Sequence, residues 1–181
     1  PIAALTAWYS LVDYGQIKPG ETVLVQGTGG VSIFAVQLAA ALGAKVIVTS
    51  SNDANLQAAM QLGAVSGVNY RTHPQWHEQV LKLTDGKGVD LLLDVAGGNG
   101  LNQSIAATKA AGKIAQIGFL TGQTTELGLM PLIFRQTTIR GIAVAPRSSF
   151  DRMNAFLNEN QIRPVIDKVY PFEEARQAYE H

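Results

Sequence analysis

The sequence predicts an α/β fold, a doubly wound, six-stranded parallel sheet with helices on both faces. Two observations carry this reading. Short apolar runs alternate with helix-period patterns along the chain, and parallel neighbours need crossover connections of that kind. One run, Asp90-Leu91-Leu92-Leu93-Asp94-Val95, is almost continuously apolar, as expected of a strand covered on both faces. The 181 residues are 46% hydrophobic, which suits one domain with a substantial core over residues 1–181.

The elements follow in order. Lys18-Pro19-Gly20 is a turn signal, and Thr22-Val23-Leu24-Val25-Gln26 after it reads as the first strand. Val31, Phe34, Ala35, Leu38 and Leu42 recur at helical spacing and stop at Gly43, a good C-cap. Lys45 to Thr49 is the second strand. Asp53 opens a helix with Leu56, Ala59, Met60 and Gly63 on one face, capped by Asn52 or Asp53. Gly67 to Tyr70 is a weak third strand, and Pro74 to Thr84 a helix carrying Trp76, Val80 and Leu83. Asp90 to Val95 is the fourth strand, Leu101 to Ala110 a helix, Lys113 to Gly118 the fifth strand. Thr121 to Ile139 reads as irregular, with Met130 to Phe134 suited locally to an amphipathic helix on the sheet. Thr138 to Val144 is the sixth strand; helices follow over Arg147 to Asn160 and Phe172 to His181.

Composition excludes several classes. Fourteen basic and fourteen acidic residues give zero formal charge without any block of one sign, which argues against nucleic acid or an anionic membrane as partner. No run has the length of a membrane span, and no charged-then-apolar leader opens the chain. Without cysteine there are no disulfides or thiolate metal sites. A soluble, cytoplasmic domain is expected. The chain starts at Pro1 and stops within an apparent helix, so a piece of a longer polypeptide is expected.

The first strand runs into Gly27-Thr28-Gly29-Gly30-Val31-Ser32, two glycines of a G-x-G-x-x-G fingerprint with serine at the third position. The motif alone is weak. At a strand-to-helix junction opening a β-α-β unit, it points to dinucleotide binding by a Rossmann-type fold. Gly27 permits the tight turn and Gly29 lets backbone approach a pyrophosphate. The helix start offers free N–H groups and the positive end of its dipole. Ser32 is small enough to stand for the third glycine with a slight spreading of the elements. Where an acid would bind the ribose hydroxyls of NAD, the sequence has Thr49-Ser50-Ser51-Asn52-Asp53. Hydroxyls there favour NADP(H) over NAD(H), although they also suit a turn and a helix cap.

The stretch from Pro1 to Ser51, beginning PIAALTAWYSLVDYGQIKPGETVLVQGTGG, resembles the cofactor domain of medium-chain dehydrogenases/reductases, the zinc-type alcohol dehydrogenase and quinone oxidoreductase superfamily. So do LGAVSGVNYR, GKGVDLLLDVAGG, GKIAQIGFLTG, TTIRGIAV and IRPVIDKVYPFEEARQAYEH, so the resemblance spans nearly the whole chain. It implies that Gly29, Gly30 and Val31 lie under the pyrophosphate, with Gly27 and Thr28 in the same turn. Ser50 and Ser51 would lie near the adenosine ribose or its phosphate. Tyr70 matches a tyrosine beside the 2′-phosphate in NADPH-dependent quinone reductases, and Arg71 would add charge; an amphipathic side chain at a strand end is the plain alternative. Ala96 and Gly97, Gly118, Phe119 and Leu120, and Val144 to Pro146 would surround the ribose and nicotinamide. Thr6 would approach the nicotinamide, unless it is an ordinary helix-surface residue.

The resemblance also implies a GroES-like catalytic domain outside these 181 residues, entered and left near Pro1 and His181. Zinc-dependent members often read PCAGLTAW where this chain reads Pro1-Ile2-Ala3-Ala4-Leu5-Thr6-Ala7-Trp8, and Ile2 cannot coordinate zinc. A zinc-free enzyme is expected unless the other domain supplies every ligand. His73 and His77 have metal-compatible spacing but no third ligand nearby. The expected chemistry is hydride transfer between nicotinamide and a small carbonyl, alcohol, quinone or enone held with the catalytic domain. No general acid or base stands out; Asp90 and Asp94 read as caps or structural hydrogen-bond acceptors. A homodimer through the sixth strand is a further implication. The Tyr and Lys four apart of short-chain dehydrogenases, and the acid ending the second strand of methyltransferases, are both absent; a non-catalytic nucleotide-binding module stays open.

Overall fold

The computed structural model describes residues 1–181. Its strands are β1 (Thr22–Gln26), β2 (Lys45–Ser50), β3 (Ala64–Asn69), β4 (Val89–Asp94), β5 (Thr108–Gln116) and β6 (Thr138–Gly141). Its α-helices are α1 (Ile2–Trp8), α2 (Gly30–Ala41), α3 (Asp53–Gln61), α4 (Trp76–Leu83), α5 (Leu101–Ala107), α6 (Leu129–Arg135), α7 (Arg147–Glu159) and α8 (Ala175–Glu180). All six strands pair in parallel in the order β3-β2-β1-β4-β5-β6, so the order reverses between β1 and β4. None of the helices is long and apolar enough to cross a membrane.

Two cores explain the unbroken apolar runs. Side chains alternate across a strand, so Val23, Val25, Leu91 and Leu93 pack under α1, α2 and α7. Leu24, Leu92 and Ile114 face the other way, against Trp76, Val80 and Ile105 of α4 and α5. All seven strand residues are fully buried, and each contributes about 1.5–3 kcal/mol by leaving water. A polar residue at either parity would forfeit one core.

The structure revises several boundaries. β3 starts at Ala64, ahead of the weak run at Gly67; Val65 is exposed there, which hides the strand from an apolar count. α5 ends at Ala107 because β5 already begins at Thr108, which pairs with Val89. Ala111, at φ 57°, then shifts the register before Lys113 meets Leu91. β6 ends at Gly141, and Val144 leaves the strand at φ 59°, a conformation β-branched residues rarely adopt. Met130 to Phe134 lies within α6, whose Leu132 packs on the second core while Leu129, Met130, Ile133 and Phe134 stay exposed. Thr6 is not on a helix surface: it is buried, and its hydroxyl donates to Ile2 O at 2.9 Å.

α1 continues into a π-helical stretch, Tyr9–Gly15, which brings Tyr14 under the β5–β6 pair. The Tyr14 hydroxyl lies 3.1 Å from Thr138 O and 3.3 Å from Ile114 O, able to donate between them. Burial raises the Tyr14 pKa above its ordinary value near 10, partly offset by the Arg140 guanidinium. The Lys109 ammonium is also raised, chiefly by its hydrogen bond to Asp90, although solvent screens that exposed pair. A pKa raised by folding contributes stability that is complete below the unfolded value and is lost as pH rises through the folded one. Stability should therefore fall above about pH 10. Tyr14→Phe should flatten that alkaline decline in chemical denaturation and cost about 1 kcal/mol at neutral pH, the worth of its hydrogen bond.

Candidate functional site

β1 ends at Gln26, and Gly27 turns the chain at φ 70°, a conformation suited to glycine. Gly29 is the N-cap of α2 and provides no side-chain cap. The first-turn N–H groups of α2 thus lack both helical and capping partners. A Cβ on Gly29 would meet nothing within 4 Å, so the approach to these groups is open. Thr28 lies between the two glycines of this turn and Gly30 and Val31 open α2; like Gly29, they line none of the cavities described below. Ser32 is buried and donates to Gln26 O at 2.7 Å. The third-glycine position is therefore a hydrogen-bonded staple between α2 and β1, a tie that packing arguments alone did not supply.

A cleft of about 440 Å³ lies beyond the carboxyl ends of β1, β2 and β4, at the reversal of strand order. Gly27, Thr49, Tyr70, Ala96 and Leu120 line it. Such a position is where ligands of open parallel sheets bind. Gly118 and Phe119 line a second cavity of about 410 Å³, with Gly97, Gly98 and Ile142. Val144 lines a third, of about 290 Å³, with Tyr9 and Arg140. Ser50 and Ser51 sit beside Thr49 at the end of β2 but line none of the three. The buried Ser50 hydroxyl accepts from Asn52 N at 3.3 Å, and Asn52 Oδ1 caps α3 at Ala54 N, 2.8 Å away. The turn-and-cap role of TSSND is thus present. Thr6 also lines none of these cavities.

Pro74, Trp76 and Gln103 also line the first cleft. Gln103 donates to Pro74 O at 3.1 Å and accepts from His77, whose Nδ1 is 2.9 Å away. Trp76 and Gln103 read in sequence as ordinary helix residues, and nothing local marks them as facing β1. His73 Nδ1 pairs with the Thr72 hydroxyl, so the two histidines have separate partners. No three His, Cys, Asp or Glu side chains gather as a metal site, and Ile2 offers no ligand atom.

Asp94 holds the wall between the first two cavities. It is fully buried at the end of β4, and its Oδ1 accepts from Ala96 N at 3.1 Å and Gly97 N at 2.8 Å. Its Oδ2 accepts from the Ser104 hydroxyl at 2.7 Å. Gln26 adds its own side chain, donating to Ser104 Oγ at 2.9 Å and accepting from Ala96 N at 3.3 Å. With their N–H groups turned inward, Ala96 and Gly97 present their carbonyls to Thr121: its N–H donates to Ala96 O at 2.8 Å and its hydroxyl to Gly97 O at 3.0 Å. The β4 and β5 exits are thereby locked together. Asp90 is likewise structural, accepting from Thr22 N at 2.7 Å and pairing with Lys109.

A turn at a helix N-terminus, opening on the switch point of a parallel sheet, is the geometry of a dinucleotide site. Residues 30–159 match the family model described as zinc-binding dehydrogenase. The chain belongs to the zinc-binding dehydrogenase family. This family of medium-chain dehydrogenases/reductases comprises oxidoreductases that bind a nicotinamide dinucleotide. A zinc-type alcohol dehydrogenase-like protein of Schizosaccharomyces pombe is 45% identical over the whole chain and 54% of its own length. A Sinorhizobium meliloti protein assigned as an alcohol dehydrogenase superposes with a TM-score of 0.95 at 41% identity, over 100% of this chain and 53% of that one. An NAD-dependent alcohol dehydrogenase superposes at 0.88 with 36% identity, over 99% of this chain and 52% of that one. The chain thus spans about half the length of these relatives.

Proposed function

We propose that this chain is the cofactor-binding part of an NADP(H)-dependent oxidoreductase that moves hydride to or from a carbonyl, alcohol, quinone or enone. Its substrate would be shared with a GroES-like catalytic domain outside these residues. The observation that carries the reading is the uncapped α2 N-terminus at Gly29, open beside the switch-point cleft. Gly29, Gly30 and Val31 would hold the pyrophosphate on free N–H groups. Tyr70 would line the adenosine side, and Ala96, Gly118, Phe119, Leu120 and Val144 the ribose and nicotinamide. The nicotinamide, when bound, supplies the hydride chemistry; the residues of this chain orient it and exclude water.

NADP(H) is favoured because β2 ends in Ser50 and Ser51 and because Tyr70 and Arg71 follow β3, with no acid at the ribose position. Zinc does not fit the residues present, so no step is assigned to it. Calorimetric titration with NADPH and NADH tests the reading: tighter binding of NADPH supports it, whereas preference for NADH, as in the name of one structural neighbour, overturns the cofactor assignment. Gly29→Ala has room for its methyl and should change stability by no more than about 1 kcal/mol, the usual cost of a poorer N-cap. It should nevertheless weaken dinucleotide binding about tenfold or more by intruding on the pyrophosphate. Unchanged affinity would remove Gly29 from the site.

A further inference from the structure

Asp53 is the first acid after β2, close enough in sequence to the proposed 2′-phosphate position to oppose it. In the structure it is turned away. Its Oδ1 accepts from Asn69 Nδ2 at 2.7 Å, and the other end of the same amide, Asn69 Oδ1, accepts from Arg71 N at 3.0 Å. Both ends of the Asn69 side chain are therefore committed, which settles its orientation. Asn69 is the last residue of β3, aligned with Ser50, and Tyr70 N donates to Ser50 O at 3.0 Å. The β2 and β3 exits are thus tied twice, by backbone and by side chain. Asp53 and Asn69 line a separate cavity of about 310 Å³, with Thr72 and His73, whereas Thr49 and Tyr70 line the dinucleotide cleft. Asp53 therefore borders the cavity it shares with Asn69 and not the cleft that Tyr70 lines.

We propose that Asn69 is a cofactor-specificity residue: it parks the Asp53 carboxylate outside the cleft and so leaves the end that Thr49 and Tyr70 line free of negative charge for a 2′-phosphate. Asn69 touches no cofactor and acts by position. The inference rests on the NADP(H) reading above and adds the device that keeps the nearby acid from opposing it. A unit charge released at the rim of an aqueous site, within a Debye length of a phosphate, changes affinity by a factor of about three to ten.

The test is a binding cycle read as the ratio of NADH to NADPH dissociation constants, measured by calorimetry on the protein, on Asn69→Ala, on Asp53→Asn and on the double variant. Asn69→Ala should lower the preference for NADPH about three- to tenfold while leaving NADH affinity nearly unchanged, since NADH has no 2′-phosphate to repel. The double variant carries no acid to release and should recover the original ratio. A role for Asn69 in simple loop stability would weaken both cofactors together and would not be rescued by Asp53→Asn; either result overturns the proposal. An unaltered ratio in Asn69→Ala overturns it as well, yet leaves the NADP(H) reading standing if the parent protein prefers NADPH. A parent that prefers NADH, or binds neither, defeats both.

Discussion

Asp94→Ala should destabilise the protein by about 3–5 kcal/mol, because truncation leaves buried donors without an acceptor. Gly97 N would lose its acceptor, and the Ser104 hydroxyl would be left with Gly100 O at 3.4 Å. Ala96 N would retain Gln26 Oε1 at 3.3 Å, so the loss stops short of complete collapse of the loop. Asp94→Asn is the discriminating companion. It keeps Oδ1 for the two backbone N–H groups and can donate to Ser104 Oγ, provided that hydroxyl turns toward Gly100, although it gives up the long contact from Gln26 Nε2 at 3.4 Å. It should cost only about 1–2 kcal/mol. Urea unfolding measures both, and equal losses would show that volume, not hydrogen bonding, governs the site. Dinucleotide affinity should fall with Asp94→Ala, since the Ala96 wall borders the cleft.

Gly118→Ala should be nearly as damaging, by a different route. A Cβ at Gly118 would lie 2.3 Å from Val95 O, a backbone atom that cannot rotate aside. The β4 and β5 exits would have to part, straining the bonds from Ile117 N and Gly118 N to Asp94 O at 2.8 and 3.1 Å. A loss of about 2–4 kcal/mol is expected from overpacking combined with broken hydrogen bonds. Weaker dinucleotide binding should accompany it. The contrast with Gly29→Ala is informative: one methyl meets backbone and the other open space, although both glycines lie at strand exits. A small stability change for Gly118→Ala in urea unfolding would mean that the exits are free to separate.

Much of this protein is legible along the chain because its signals are local. The apolar runs at Val23 to Val25 and Leu91 to Leu93 announce strands covered on both faces. Gly27 and Gly29, placed between such a strand and a helix-period pattern, mark the turn proposed above for the dinucleotide. The weak signals failed where an element is exposed, short or interrupted: Val65 on edge strand β3, the start of β5 at Thr108 ahead of its register shift, and the end of four-residue β6 before Val144.

Other features depend on which loops strand order sets side by side. Pairing β1 with both β2 and β4 gathers Gly27, Tyr70 and Ala96 around one cleft, and it brings Trp76 and Gln103 there without any mark in their own segments. Ser32 looked like a tolerated departure from a glycine pattern until its hydroxyl was seen to hold Gln26 O. Asp94 reads as a cap or a structural acceptor, and the fold selects the second, making it the buried acceptor on which the wall between two cavities depends. Periodicity and turn chemistry specify elements because each is decided within a few residues. The acceptor a hydroxyl finds, or the backbone a missing Cβ must clear, lies dozens of residues away, and only packing brings it near.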